Sequence, residues 1–254
     1  MLKSLTSQKN FWTFLGDDSE ECFFGSLETS LQCQGKRISQ DPLSYVLHTQ
    51  AGKRSYFIKV YHRNGKGIRH YFGRGRAEGE WQNLLFFQRL GIPTPRLVAY
   101  GQGYQHGRLS HAILITEEVS PAQDLATLAR ETPHVLQQRA WRLSVLRQVA
   151  DYTARLHKDG FVHWDLKWRN ILIRQQDTEP KVLFFDCPLG KHPFGWLRRR
   201  GAIKDLACLD KIGRKVLRRT DRLRFYLAYR ETTHLTAVDK KQITQIVQFF
   251  TPQS

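Results

Sequence analysis

Cysteine is scarce in this 254-residue chain: Cys22, Cys33, Cys187 and Cys208 are the only four, and none forms a Cys-x-x-Cys pair. That number and spacing support neither a disulfide framework nor a structural zinc site, and they fit a reducing compartment. Long apolar runs are missing too. Runs such as Ala112 to Ile115 and Val182 to Phe185 are strand-sized, far short of the roughly 18 residues of a membrane span. Near the N-terminus, Asn10 and Asp17 interrupt the aromatic cluster Phe11, Trp12 and Phe14, so no signal-peptide core can be drawn and the expected location is the cytoplasm. Acidic residues are the third shortage. Against 40 Lys and Arg stand 23 Asp and Glu, a formal net charge of +17. Such an excess serves nucleic acid, an anionic membrane surface or a phosphorylated substrate, and motifs must choose among them. With 41% hydrophobic residues the chain can bury a real core, which excludes disorder as a description of the whole.

Along the chain a strand-rich part precedes a helix-rich part. The first forty residues read as an irregular lead-in plus one strand around Ser30 to Ile38. Ser44 to Thr49 and Ser55 to Tyr61 are β-rich runs on either side of Ala51-Gly-Lys-Arg54, a hairpin signal. A Gly- and Arg-rich loop over 62–76 leads to an amphipathic helix, Ala77 to Leu90, stopped by Gly91, Pro93 and Pro95. Two further strands, Leu97 to Tyr100 and His111 to Thr116, flank a turn containing Gly101, Gly103 and Gly107. After Pro121 helices are expected at Gln123 to Ala129, Gln137 to Lys158, Lys204 to Leu217, Asp221 to Arg230 and Val238 to Phe249. Two short strands interrupt them, Ile171 to Ile173 and Val182 to Phe185, joined by a polar turn from Gln175 to Pro180.

The chemistry gathers at that strand pair. His163-Trp-Asp-Leu-Lys-Trp-Arg-Asn170 opens it and Phe185-Asp186 closes it. Phosphoryl transfer needs a carboxylate to orient the attacking hydroxyl, a cation near the moving phosphate, and oxygen ligands for Mg²⁺. Asp165 and Lys167 supply the first two as catalytic residues, and Asn170 and Asp186 supply the metal ligands. Taken singly, Asp165 and Asn170 read as turn residues and Asp186 as a strand end; the combination decides. The strand-rich half must then provide a phosphate-anchoring lysine and a helix glutamate. Lys59, central in Phe57-Ile-Lys-Val-Tyr61, is the lysine. Glu80 shares a helix face with Leu84 and Phe87, whereas Glu78 lies with Gln82 and Arg89, so Glu80 is the better partner.

These motifs resemble the protein-kinase-like superfamily. With Gly91-Ile-Pro-Thr-Pro95, Ala99-Tyr-Gly101, Lys204-Asp-Leu-Ala-Cys-Leu-Asp210 and Arg219-Thr-Asp-Arg-Leu-Arg-Phe225, they are similar to the bacterial lipopolysaccharide core kinases, which act on heptose or Kdo sugars. The resemblance covers nearly everything after Ile38. It implies an α+β, protein-kinase-like two-lobed fold, with a lead-in and β-rich ATP-binding lobe over 1–119 and a helical catalytic lobe over 120–254. It further implies ATP and Mg²⁺ as cofactors, Glu117 and Val119 as nucleotide-binding positions where the lobes join, and Asp205 as a brace for the catalytic loop. The implied acceptor is lipopolysaccharide core or another anionic sugar, reached by peripheral contact with the anionic inner face of the inner membrane; nucleic acid is disfavoured as a partner.

Departures from kinases at large sharpen that expectation. No GxGxxG stands in the first strands, so a phosphate-covering loop would come from around Gln34 to Arg37; Gly73-Arg-Gly75 follows the lysine strand and is a decoy. Trp164 occupies the position where protein kinases carry the arginine that reads a phosphorylated activation loop. Cys187-Pro188 replaces Phe-Gly after the metal-binding Asp186, and proline discourages a loop flip. Cys187 itself reads as a buried, inert thiol sooner than a reactive one. The short stretch from Asp186 to Asp205 holds no peptide-docking motif, which argues against the alternative of a small atypical Ser/Thr protein kinase. The intact set of Lys59, Glu80, Asp165, Asn170 and Asp186 argues against a second alternative, a basic membrane- or RNA-binding pseudokinase. Trp196, Leu197 and Arg198 to Arg200 suit an amphiphile with an anionic head, or else form a solvated basic turn with one packed tryptophan.

Overall fold

The structure, a computed structural model, describes residues 10–62, 74–105, 108–175 and 179–251. The chain divides into two compact units, Met1–Gln82 with Pro95–Glu118, and Asn83–Thr94 with Val119–Ser254.

The first unit is built on a six-stranded antiparallel sheet of order β1-β5-β6-β4-β3-β2. Its strands are β1 (Phe11–Phe14), β2 (Lys36–Gln40), β3 (Ser44–Ala51), β4 (Arg54–Tyr61), β5 (Leu97–Gln105) and β6 (Arg108–Glu117). Ala51 pairs with Arg54, so the β3–β4 hairpin turns on Gly52 and Lys53 as the sequence predicts. Alternation along β4 buries Tyr56, Ile58 and Val60 against Val98, Ala99, Ile113 and Ile115.

Two helices, α1 (Asp18–Phe24) and α2 (Leu27–Gln32), stand where an irregular lead-in is expected. Each starts with a capping box: Asp17 with Glu20, and Ser26 with Thr29. Because α2 takes residues 27–32, the expected strand moves later, to β2, which is exposed throughout. Gly101 and Gly103 lie inside β5 and not in a turn. A side chain at Gly101 would run into the Phe11 carbonyl on paired β1, so the glycine permits close strand approach. Gly107, most of the 62–76 loop including Gly73, and the middle of the 175–180 turn lie outside the described residues.

Helix α3 (Arg76–Arg89) starts in the first unit and ends in the second. The second unit continues with β7 (Ala122–Asp124), α4 (Leu125–Glu131), α5 (Pro133–Gln137), α6 (Arg139–Lys158), β8 (Ile171–Arg174), β9 (Lys181–Phe184), α7 (Trp196–Val216), α8 (Arg219–Arg230) and α9 (Ala237–Gln248). Strands β7, β8 and β9 form a small antiparallel sheet. The helix expected from Gln123 starts only at Leu125, because Asp124 ends β7 and caps α4 by accepting the Thr127 N–H at 2.9 Å. The largest correction is α7, which begins eight residues before the expected Lys204. No side chain caps it and its first turn is rich in arginine, so the usual start signals are missing.

Two apolar clusters stand out among the described residues of this unit. One joins Phe87, Phe161, Leu166, Trp168, Ile171 and Phe184; the other joins α6, α7, α8 and α9 through Ala154, Leu206, Tyr226 and Ile246. Among the described residues no helix is long and apolar enough to cross a membrane.

Candidate active site

Alternation on β4 places Lys59 on the face opposite Ile58 and Val60, with Phe57 and Tyr61. Its ammonium donates to both carboxylate oxygens of Glu80 on α3, at 3.0 and 2.8 Å, and Glu80 is buried. The structure therefore makes the Lys59–Glu80 pair that helix-face reasoning selects. Glu78 instead accepts from Gln82 at 2.9 Å on the exposed face. The sequence reading missed Tyr61, whose phenol also donates to Glu80 Oε2. Burial and the Glu80 charge push the Tyr61 phenol well above its ordinary range, so it stays a donor.

Glu117 is held by a network that the sequence did not reveal. Its carboxylate accepts from Arg96 Nε at 2.5 Å, and Arg96 also binds buried Glu20 of α1. Glu20 accepts the Tyr56 hydroxyl at 2.6 Å and Arg54 at 3.2 Å. Burial raises the Glu20 carboxyl, but Arg96 and Tyr56 outweigh it and hold the group below the usual carboxylate value. The side chain of Glu117 is thus committed, and its main-chain N–H donates to the Arg96 carbonyl at 2.9 Å. Val119, two residues on, is half-buried and opens the second unit's main segment.

In the second unit the loop from His163 to Asn170 follows α6. Asp205 Oδ2 accepts the main-chain N–H of His163 at 2.7 Å, and Asp205 is fully buried. This is the brace expected of Asp205. The His163 ring packs on Phe87 with 6.1 Å between centroids, and neither ring nitrogen has a hydrogen-bond partner among the described residues. Burial lowers its pKa, against the opposing pull of Asp205, Asp186 and Asp165.

The Asp165 carboxylate lies 2.5 Å from Lys167 Nζ and 3.5 Å from Arg169, partly open to solvent. Asn170 Nδ2 donates to the Asp165 carbonyl at 2.8 Å, so the amide oxygen is the atom that would face a metal if one is bound. The main-chain carbonyl of Asn170 accepts from Phe185 at 3.2 Å, so Asn170 and Asp186 bracket the paired strands β8 and β9 at one end. Trp168 anchors the same turn through its indole N–H to the Leu209 carbonyl at 2.9 Å, a tie not foreseen from sequence.

The segment after Asp186 is fixed by Asn83, another residue the sequence did not single out. Its Nδ2 donates to the carbonyls of Cys187 at 2.6 Å and Gly190 at 3.0 Å. A Cβ at Gly190 would sit 2.6 Å from Cys187 Sγ, so only glycine fits. Cys187 is fully buried, in keeping with an inert thiol.

Among the described residues no cluster of three or more His, Cys, Asp or Glu forms a metal cage. Asp186 and Asn170 fit the different demand of Mg²⁺, a hard cation that takes one or two protein oxygens and fills its shell with phosphate and water.

The tail motif is an ion-paired helix. Arg222 forks onto Asp210 at 2.6 and 2.9 Å, and buried Asp221 accepts from Arg142 at 3.1 Å.

Comparison with known proteins gives the family and the fold. The profile of the lipopolysaccharide kinase (Kdo/WaaP) family matches residues 38–229. The lipopolysaccharide core heptose(I) kinase WaaP of Pseudomonas aeruginosa is 28% identical over 213 residues, covering 77% of each chain. A 3-deoxy-D-manno-octulosonic acid kinase of Vibrio vulnificus is 29% identical over 122 residues, 46% of this chain and 48% of that protein, so the match spans about half of the latter's length. Among solved structures, WaaP in complex with acyl carrier protein has a TM-score of 0.73 at 21% identity, covering 94% of this chain and 97% of that one. The fold is therefore the α+β, protein-kinase-like one, and the chain is a kinase that belongs to the lipopolysaccharide kinase (Kdo/WaaP) family.

Proposed function

We propose that the chain transfers the γ-phosphoryl group of Mg-ATP to a sugar hydroxyl, on heptose or Kdo, of the lipopolysaccharide inner core at the cytoplasmic face of the inner membrane. The observation that carries this reading is the Asp165 loop, with its carboxylate 2.5 Å from Lys167, its carbonyl tied to Asn170, and its base braced by Asp205. In the reaction Asp165 orients the acceptor hydroxyl and takes its proton, while Lys167 steadies that carboxylate and offers positive charge to the transferred group. Asn170 and Asp186 would hold Mg²⁺, which would supply neutralisation of the phosphate charge. Lys59, steered by Glu80, pairs with the α- and β-phosphates, and the main chain at Glu117 and Val119 takes the adenine edge.

The WaaP alignment, which covers 77% of both chains, makes heptose the first acceptor to assay and Kdo the second. A protein acceptor is less well supported, because α7 starts at Trp196 and leaves only a short stretch after Asp186 to dock a peptide. Mass spectrometry of lipopolysaccharide core from cells with and without the protein tests the reading. Loss of one phosphate supports it; an unchanged core contradicts it.

An acyl carrier protein is a further candidate partner that the sequence reading did not name. The structural neighbour was solved with one. The second unit here holds a cavity of about 440 Å³ lined largely by apolar groups, among them Leu146, Val149, Leu209, Phe225 and Ile246, a setting suited to an acyl chain. The full wild-type chain should bind acylated carrier protein and Leu146→Trp, which fills the cavity, should not; no binding by the wild type would remove this partner, and retained binding by the variant would place the acyl chain outside this cavity.

A further inference from the structure

The sequence around Arg198 offers a choice between an amphiphile-binding segment and a solvated turn with a packed tryptophan. Neither half of the second option holds. Residues 196–216 are helical, and Trp196 is 71% exposed while Phe194 just before it is 90% exposed. Two large aromatics held this far out of the core, with Leu197 also exposed, are an unusual feature for a soluble surface.

The arginines beside them are not equivalent. At 3.6 residues per turn, Arg199 and Arg200 fall within about 60° on either side of Trp196, and Arg198 falls on the far side. Arg198 is spent on structure: its guanidinium donates to the carbonyls of His157 and Lys158 at the end of α6, at 3.2 and 3.1 Å. Arg199 is exposed, and Arg200 lies 5.7 Å over the Phe249 ring, next to the exposed Phe250. The outer face of the α7 start therefore alternates aromatic and cationic groups and runs on to the end of α9.

We infer that this face, centred on Phe194, Trp196, Arg199 and Arg200, is a docking surface for an anionic lipid bilayer. Aromatic rings with an apolar body settle at the headgroup boundary, and arginine forks bind phosphate oxygens beside them. Arg199 and Arg200, neither in a salt bridge to a carboxylate among the described residues, on a chain of net charge +17 call for an anionic partner, and the flanking aromatics call for one with an apolar layer. The inference deepens the membrane location proposed above, yet it needs neither ATP nor acceptor. Vesicle binding and phosphotransfer can therefore fail independently.

The test uses the full chain and co-sedimentation with vesicles of phosphatidylcholine alone or mixed with phosphatidylglycerol. The wild type is expected to bind the mixed vesicles, and less so as salt rises. Arg199→Gln with Arg200→Gln should weaken partition by about fivefold per arginine at low salt. Phe194→Ser with Trp196→Ser should weaken it by at least about tenfold at every salt concentration. Because these side chains lie outside the core, both variants should keep the wild-type unfolding temperature, and Arg198→Gln, which removes the α6 cap, serves as a contrast that lowers it. Partition unchanged in both double variants overturns the inference. So does a wild-type chain that ignores anionic vesicles, or one that self-associates until the aromatic pair is removed, which would make a second copy the occupant.

Discussion

Asp205 on α7 accepts the main-chain N–H of His163 at 2.7 Å in a fully buried setting, two residues before Asp165. The bond fixes the backbone from which Asp165 projects, and it replaces water for a donor that has no access to any. Removing the carboxylate by Asp205→Ala should cost about 1–3 kcal/mol of stability, the usual penalty for a buried unpaired donor. Asp205→Asn retains an acceptor oxygen and should recover most of that loss. Urea unfolding of the two variants checks this; equal stability of Asp205→Ala and wild type would show that the bond is not a brace.

Lys59 and Glu80 should act as one unit. The glutamate's role is to hold the lysine in place, so once either is lost the other has little left to contribute. In a double-mutant cycle on kcat/KM, the second substitution should cost far less than the first. Fully additive losses would separate the two residues functionally. Tyr61→Phe, which removes the second donor to Glu80, should produce a smaller loss in the same assay.

Acid stability should depend on Asp239, which completes the capping box that Thr236 opens at the start of α9. Hydrogen bonds from the Thr236 hydroxyl and main chain, with Tyr226 and Arg230 beyond, outweigh its burial and lower its pKa from 3.8 to about 2. A folded-state pKa below the unfolded one means the stabilisation is complete above about pH 4 and is lost as pH falls from 3.8 toward 2. Asp239→Asn should therefore have a lower unfolding temperature at neutral pH and a flatter profile through that window. Parallel profiles of the variant and wild type would contradict this.

What could be read from sequence was local. The hairpin at Gly52 and Lys53 is specified by residues adjacent in the chain. So is the loop from Asp165 to Asn170, which closes on itself through the Asn170 amide and the Asp165 carbonyl. Lys59 with Glu80 spans two elements, yet each has a regular period, so face arithmetic on α3 was enough to choose Glu80 over Glu78. The Arg96 link from Glu20 to Glu117 was out of reach, since it joins residues 76 apart and one end lies on a helix, α1, not recognised as such. The capping boxes at Asp17 and Ser26 were the local signal that could have found α1 and α2. Asn83, which secures the segment after Asp186, carries no sequence signal at all, because an asparagine inside an amphipathic helix reads as surface until its partners are seen.

The proposed phosphoryl transfer from Mg-ATP at the Asp165 loop is measured as turnover on purified lipopolysaccharide core, with Mg-ATP binding followed in parallel. Asp165→Ala should lose about 10²- to 10⁴-fold in kcat, the range of a lost general base, while binding nucleotide almost normally. Asp186→Ala should lose turnover and metal-dependent nucleotide affinity together, the pattern expected of the proposed metal ligand. Wild-type turnover in both variants would contradict the account.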